Sequence, residues 1–143
     1  MKKPPPFWTN LDVISGRICP YCHHETEVVD EIEIYKKEYS GRKYFRCKLN
    51  SDHYVGCYRS SQLKSLGRVA DANLRALKMK CHELFDPIWN SSENKAETRF
   101  MAYKHLADQF EIPQAYCHFG MMDEEWCTYV LHYLETSEKS NFQ

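Results

Sequence analysis

A chain of 143 residues, 43% of them hydrophobic and 14% aromatic, can fold as one domain, or as a small domain beside a second, and leaves no room for a third. Its net charge of −1 argues against a uniformly basic nucleic-acid binder, and no run of about 18 apolar residues is present to form a membrane-spanning helix. Two lysines open the chain without an apolar stretch behind them, which argues against a secretory leader. The seven cysteines, an odd number, argue against a closed disulfide framework. The expected compartment is therefore the cytoplasm, where a CxxC pair binds metal or does redox chemistry. The near-neutral total hides an asymmetry. Residues 1–80 hold 15 Lys and Arg against 9 Asp and Glu, a balance of +6, and residues 81–143 hold 4 against 11, a balance of −7. Either the two halves simply complement each other in charge, or a polyanionic partner would meet the first half.

The opening "KKPPPFW" is a Pro-rich, extended lead whose Phe7 and Trp8 can tuck against the body. After Cys19-Pro20-Tyr21-Cys22, the pattern predicts one strand carrying Val28, Val29, Ile32 and Ile34 and a second carrying Tyr44 and Phe45, joined at a Ser40-Gly41 turn. "HYVGCY" reads as a short third strand ending at Gly56. So thin a hairpin unit needs help to fold, and a structural metal supplies it.

Beyond Asp71 the apolar period changes from two to three and four. Leu74, Leu77, Cys81, Leu84, Phe85 and Ile88 mark one face of a helix that Asp71 caps and that Pro87 ends or bends near Asp86. Asn94, with Glu97 three residues on, starts a second helix bearing Phe100, Tyr103, Leu106, Ala107 and Phe110, which stops before Pro113. A third begins at Asp123 and presents Trp126, Cys127, Val130, Leu131 and Leu134. These signals divide the chain into a lead at 1–17, a metal-binding ribbon at 18–60, a helical domain at 61–135 with Trp89 packed into the bundle, and a frayed tail at 136–143.

Zinc takes four thiolate or imidazole donors in a tetrahedron. Cys19 and Cys22 can face one ion from a tight turn, and the hairpin returns Cys47 to them. For the fourth donor the spacing offers His53, Cys57 and, less favourably, His23 or His24. Ordinary buried thiols are the competing reading. A thioredoxin-like redox pair would need a helix after the CxxC, and "HHETEVV" reads as strand.

Two further groups stand out. Lys36, Lys37, Arg42, Lys43, Arg46 and Lys48 interleave with Tyr35, Tyr39, Tyr44 and Phe45 on the hairpin, a composition suited to phosphates and unpaired bases, although strand propensity and solubility favour the same residues. In the helical half, His82, Asp86, Cys117, His118 and Cys127, with Cys81, could converge on a second metal or a Cys/His pair. Alternatively the cysteines pack on apolar helix faces and the imidazoles bond to Asp86 or to a helix end.

The segments "CPYC", "YVGC", "LGRVADANLRALKMKCHELFDPIW" and "YCHFGMMDEEWC" resemble a bacterial and bacteriophage family known as a zinc-finger-containing domain of unknown function. The resemblance covers about residues 18–131. Its most specific parts are Phe85-Asp86-Pro87-Ile88-Trp89 after His82, and Cys117-His118 with Gly120 and Cys127. It implies a zinc ribbon followed by a helical part, and no established activity. The family carries a cysteine just before the segment matching "DHYVG", where this chain has Ser51. Serine does not replace a thiolate, so the departure favours His53 as fourth ligand and leaves Cys57 as the alternative.

The expectation is an α+β protein, an N-terminal zinc ribbon of antiparallel hairpin plus short strand packed on a C-terminal three-helix part. One structural zinc would be held by Cys19, Cys22, Cys47 and His53. The expected function is a binding module, in a bacterial or phage-infected cell, contacting nucleic acid through residues 35–48. A protein-interaction adaptor or inhibitor acting on a host protein through the acidic helical half is the main rival. A metal-dependent enzyme comes third, because no clustered carboxylates supply an open coordination site and no residue is assigned as catalytic.

Overall fold

The computed structural model describes residues 1–60, 62–137 and 142. It is α+β, with a three-stranded antiparallel sheet and five α-helices among the described residues. The chain divides into two compact units, one of residues 7–75 and one of residues 1–6 with 76–143.

In the first unit, the short helix α1 (Leu11–Ile14) was not legible in the sequence. Asn10 starts it, its Oδ1 accepting from the Val13 amide at 3.3 Å. Strands β1 (Thr26–Asp30), β2 (Lys43–Cys47) and β3 (Tyr54–Gly56) follow, in spatial order β1-β2-β3. Val28 stands opposite Phe45 and Phe45 opposite Val55; Val29 stands opposite Tyr44 and Tyr44 opposite Gly56. Alternation then puts Val28, Phe45, Cys47 and Val55 on one face and Val29, Tyr44, Arg46 and Tyr54 on the other.

The expected first strand ends early. Ile32 and Ile34 lie not in a strand but in helix α2 (Glu31–Tyr35), which Lys36 closes in a left-handed conformation at φ 64°. The cause is Glu31. Its carboxylate, 4% exposed, accepts the amides of Tyr39, Ser40 and Gly41 at 2.7–3.0 Å and the Ser40 hydroxyl at 3.0 Å. Turning the chain into a helix at Glu31 aims that carboxylate at the connection, and the gain outweighs a strand-like spacing of isoleucines, one of which, Ile32, stays 52% exposed.

Helix α3 (Ala72–Trp89) crosses from the first unit into the second. Its cap is as expected, with the Leu74 amide donating to Asp71 Oδ1 at 2.9 Å. Pro87 does not end it. The proline sits in the last turn, where its missing N–H costs a single bond, and Asn90 still donates to the Asp86 carbonyl at 2.9 Å. Helix α4 (Lys95–Phe110) begins at Asn94, whose Oδ1 accepts from the Glu97 amide while its Nδ2 donates to the Glu97 carboxylate. Two 3₁₀ turns, Gln114–Tyr116 and Phe119–Met121, lead to α5 (Glu124–Thr136), capped by Asp123. Phe85, Leu106, Phe119, Met122, Trp126 and Val130 are fully buried and form the centre of this unit. The Trp126 indole donates to the Pro5 carbonyl at 2.7 Å, which fastens the Pro-rich lead. Leu84 and Phe100, expected on buried faces, are 41% and 56% exposed. The expected frayed tail lies, apart from Thr136, Ser137 and Phe142, outside the described residues.

Candidate metal centre

Two closed loops carry the candidate ligands. In the first, the Cys19 amide donates to the His24 carbonyl at 2.8 Å and the His23 amide to the Cys19 carbonyl at 2.9 Å, so the chain reverses through Cys19-Pro20-Tyr21-Cys22. The reversal needs a left-handed residue, supplied by His23 at φ 56°. In the second, the Cys47 amide at the end of β2 donates to the His53 carbonyl at 2.9 Å, and the His53 amide to the Asn50 carbonyl at 3.1 Å. That closure makes a spacing of five residues short in space.

The four donor atoms meet. The thiol sulfurs of Cys19, Cys22 and Cys47 and a ring nitrogen of His53 all lie within 4.8 Å of one another. His53 Nδ1 is 3.5 Å from Cys19 Sγ and 3.7 Å from Cys22 Sγ. A regular tetrahedron with Zn–S of about 2.3 Å and Zn–N of about 2.0–2.1 Å has S···N edges of about 3.6 Å, which the Cys19 and Cys22 distances to His53 match. Three thiolates and one imidazole form the soft donor set zinc prefers, with Nδ1 as the histidine ligand atom. Because all four donors come from protein, no position stays open for water, and the ion would hold structure rather than activate a nucleophile.

The charge balance at the donors agrees. Burial pushes the Cys19 thiol up, and burial followed by the Cys47 contact pushes Cys22 up to about 11. Burial also works against the Cys47 thiolate, but the amides of Leu49 and Asn50 and the neighbouring thiols overcome it and hold Cys47 below its ordinary value. The Leu49 amide lies 3.4 Å from Cys47 Sγ. Zinc binding would displace protons from the thiols, and Cys47 would give up its proton more readily than Cys19 or Cys22. The surrounding packing is small. Cys19, Cys47 and Val69 are buried together, with Tyr21, Cys22 and Val55 against them, so two of the three central residues are ligands.

Tyr21, which ligand spacing does not mark, supports the site. Its ring lies 4.6 Å from that of His53, and its hydroxyl accepts the Asp71 amide at 3.2 Å. The only sequence signal for it was an aromatic inside the CxxC.

The other fourth-ligand alternatives fall outside the cluster. His23 and His24 are exposed, and His24 Nδ1 lies 3.3 Å from the Glu25 carbonyl oxygen. Cys57 is 1% exposed beyond β3, its amide donating to the Lys43 carbonyl; it is packing. Ser51 is exposed in the turn before His53.

The helical-half residues do not assemble into a second ligand set. Among the described residues, the Cys19 cluster is the one group of three or more metal-binding side chains. His82 Nδ1 lies 3.2 Å from Asp86 Oδ1, which also accepts the Trp89 indole at 3.3 Å. Cys81 and Cys127 are fully buried neighbours, the Cys81 thiol donating to the Cys127 carbonyl at 3.5 Å. Cys117 is fully buried, which pushes its thiol up to about 12, while the His118 ring stands 5.3 Å from that of Tyr103. Burial raises the Cys117 thiol, the Cys81 contact and burial raise Cys127, and the same contact holds Cys81 below its ordinary value.

On the hairpin the cations separate by role. Lys43 pairs with Asp30, and Lys48 with Glu25 at 2.7 Å. Arg42 donates to the Cys57 carbonyl at 3.0 Å, and Lys36 Nζ to the Glu33 carbonyl at 3.4 Å. Tyr44 is only 8% exposed, so it is a core ring and offers no face to a base. Tyr35 and Tyr39 are 48% and 72% exposed.

No helix among the described residues is long and apolar enough to cross a membrane. Comparison with curated proteins and with solved structures finds no match to either. A family model described as a zinc-finger-containing domain matches residues 15–137, a span that encloses all four donors and all but the first 14 and the last six residues. With the Cys3His cluster of Cys19, Cys22, Cys47 and His53 inside that span, the chain belongs to this zinc-finger-containing domain family.

Proposed function

We propose that the chain is a structural-zinc binding module that contacts nucleic acid through residues 35–48. The observation that carries the reading is the pairing of exposed phenol rings, Tyr35 and Tyr39, with exposed Lys36 and Lys37 on the same connection and with Arg46 on the adjoining strand. Cations neutralise phosphates and aromatic faces stack on bases. Lys43 and Lys48 contribute less, because each already faces a carboxylate. Three phosphate contacts predict a slope of about −2 for log K against log salt with a single strand. Fluorescence anisotropy with labelled oligonucleotides between 50 and about 300 mM salt measures it, and a flat salt response would refute the reading.

The rival, a protein-interaction adaptor, has its own support in Leu84, Phe100 and Met101, which are 41%, 56% and 50% exposed on α3 and α4. Affinity capture with and without nuclease separates the two. Nuclease-resistant recovery of a protein that Phe100→Ser abolishes would favour the adaptor.

A further inference from the structure

The sheet has one face committed to the metal centre, because Cys47 and Val55 point that way and lie in the buried cluster. The opposite face carries Val29, Tyr44, Arg46 and Tyr54 by the register of the three strands. Its rings form a continuous series. Tyr39 lies 6.3 Å from Tyr35, Tyr35 5.9 Å from Tyr44, and Tyr44 5.9 Å from Tyr54, each pair edge to face. At the end of the series the Arg75 guanidinium lies over the Tyr54 ring at 4.1 Å. Gly56 allows a further arginine onto the same face. A Cβ there would come within 3.1 Å of Arg42 Cδ and 3.4 Å of the Tyr44 ring, so the missing side chain is the space through which Arg42 crosses the sheet.

Four tyrosines and three arginines therefore share one side of a three-stranded sheet whose other side is pinned by the zinc ligands. Tyr44 is buried, whereas Tyr35 and Tyr39 are 48% and 72% exposed. The charge on this side is modest. Glu27 stands opposite Arg46, and Asp52 accepts from Arg75 at 2.8 Å. Electrostatic attraction to a phosphate backbone alone would be weak here, whereas Tyr35 and Tyr39 add two exposed aromatic rings. Stacking needs an unpaired base, since a duplex keeps its base faces covered.

Resting on the nucleic-acid reading above, we propose that this face is a platform for single-stranded nucleic acid, with bases stacked on Tyr39 and Tyr35 and the strand's phosphates running past Arg46. The binding surface thus extends from the hairpin tip across the sheet, and Arg46 with the two exposed tyrosines matters more than Lys36 and Lys37.

The test is fluorescence anisotropy of the full zinc-loaded chain with labelled 16-nucleotide dT and rU strands and a 16-base-pair duplex, in one buffer. The expected result is that at least one single strand binds about tenfold or more tighter than the duplex. Tyr39→Ala and Arg46→Gln should each weaken that binding about fivefold or more, while Tyr39→Phe, which keeps the ring, should bind as wild type. Zinc content and thermal unfolding serve as folding controls, and Tyr39 at 72% exposure is a site where truncation leaves the fold intact. If oligonucleotides bind but Tyr39→Ala and Arg46→Gln have no effect, or the duplex binds as well as the strands, the platform is wrong and the broader nucleic-acid reading stands. If neither strand nor duplex binds at 100 μM-scale protein, about the weak end of non-specific binding, both fall.

Discussion

At the level of single residues, the fourth donor is settled by backbone closure as much as by side-chain type. The Cys47 amide bonds to the His53 carbonyl, so any residue at 53 is carried back beside Cys47, whereas Cys57 lies past β3 with its own amide committed to Lys43. The two positions should respond differently to truncation. Cys47→Ala and His53→Ala each remove a donor from a centre whose ion would supply folding free energy, and both should lose bound zinc and cooperative unfolding of the 7–75 unit. Cys57→Ala deletes one buried sulfur and should cost about 1 kcal/mol with zinc retained. Elemental analysis with thermal melts distinguishes them, and zinc loss in Cys57→Ala equal to that in His53→Ala would mean the donor set is wrong.

At the level of elements, the connection between β1 and β2 depends on Glu31. Its carboxyl is held below the ordinary value of 4.5 by the Ser40 amide first, against the opposing effect of burial, and then by the amides of Tyr39 and Gly41. A depressed folded value means that the stabilisation is present above pH 4.5 and is lost as pH falls through the folded value. Glu31→Gln removes the charge at every pH. Amide exchange at Tyr39, Ser40 and Gly41 should then accelerate roughly tenfold at neutral pH, with zinc content unchanged. Unchanged protection would show that the loop is held by something other than this carboxylate. The same residue explains where the sequence misled. The apolar residues Val28, Val29, Ile32 and Ile34 suggest a long strand, because hydrophobic patterning reports burial and is blind to a carboxylate that gathers amides eight to ten residues away. The three capped helices were readable because Asp71, Asn94 and Asp123 act on amides three residues on, within the reach of local pattern. Pro87 does not end its helix, since in a last turn the missing donor costs only one bond.

Over the whole molecule, the two units rest on different physics. The helical unit buries Trp126, Phe85, Phe119, Leu106 and Met122 completely, a core that apolar spacing announced in the sequence. The 7–75 unit has a three-residue buried cluster at its metal centre, and two of those residues are ligands. Cysteine spacing therefore located the site, but left the fourth donor open until the loop closure at Cys47 was seen. A structural zinc contributes apparent binding energy of about 10–16 kcal/mol in small fingers at pH 7, comparable to the entire 5–15 kcal/mol by which a domain is stable. Removing the ion should therefore unfold the ribbon and leave the helical core in place. The seven cysteines report this directly. With a strong chelator under native conditions, Cys19, Cys22, Cys47 and Cys57 should react quickly with a thiol reagent. Cys81, Cys117 and Cys127, each 0% exposed, should stay protected until the helical unit is denatured. Four fast thiols and three slow ones, counted by mass spectrometry after timed labelling, is the expected pattern. Seven thiols reacting together would show one cooperative fold, and seven protected thiols after complete chelation would show that the ribbon stands without its metal.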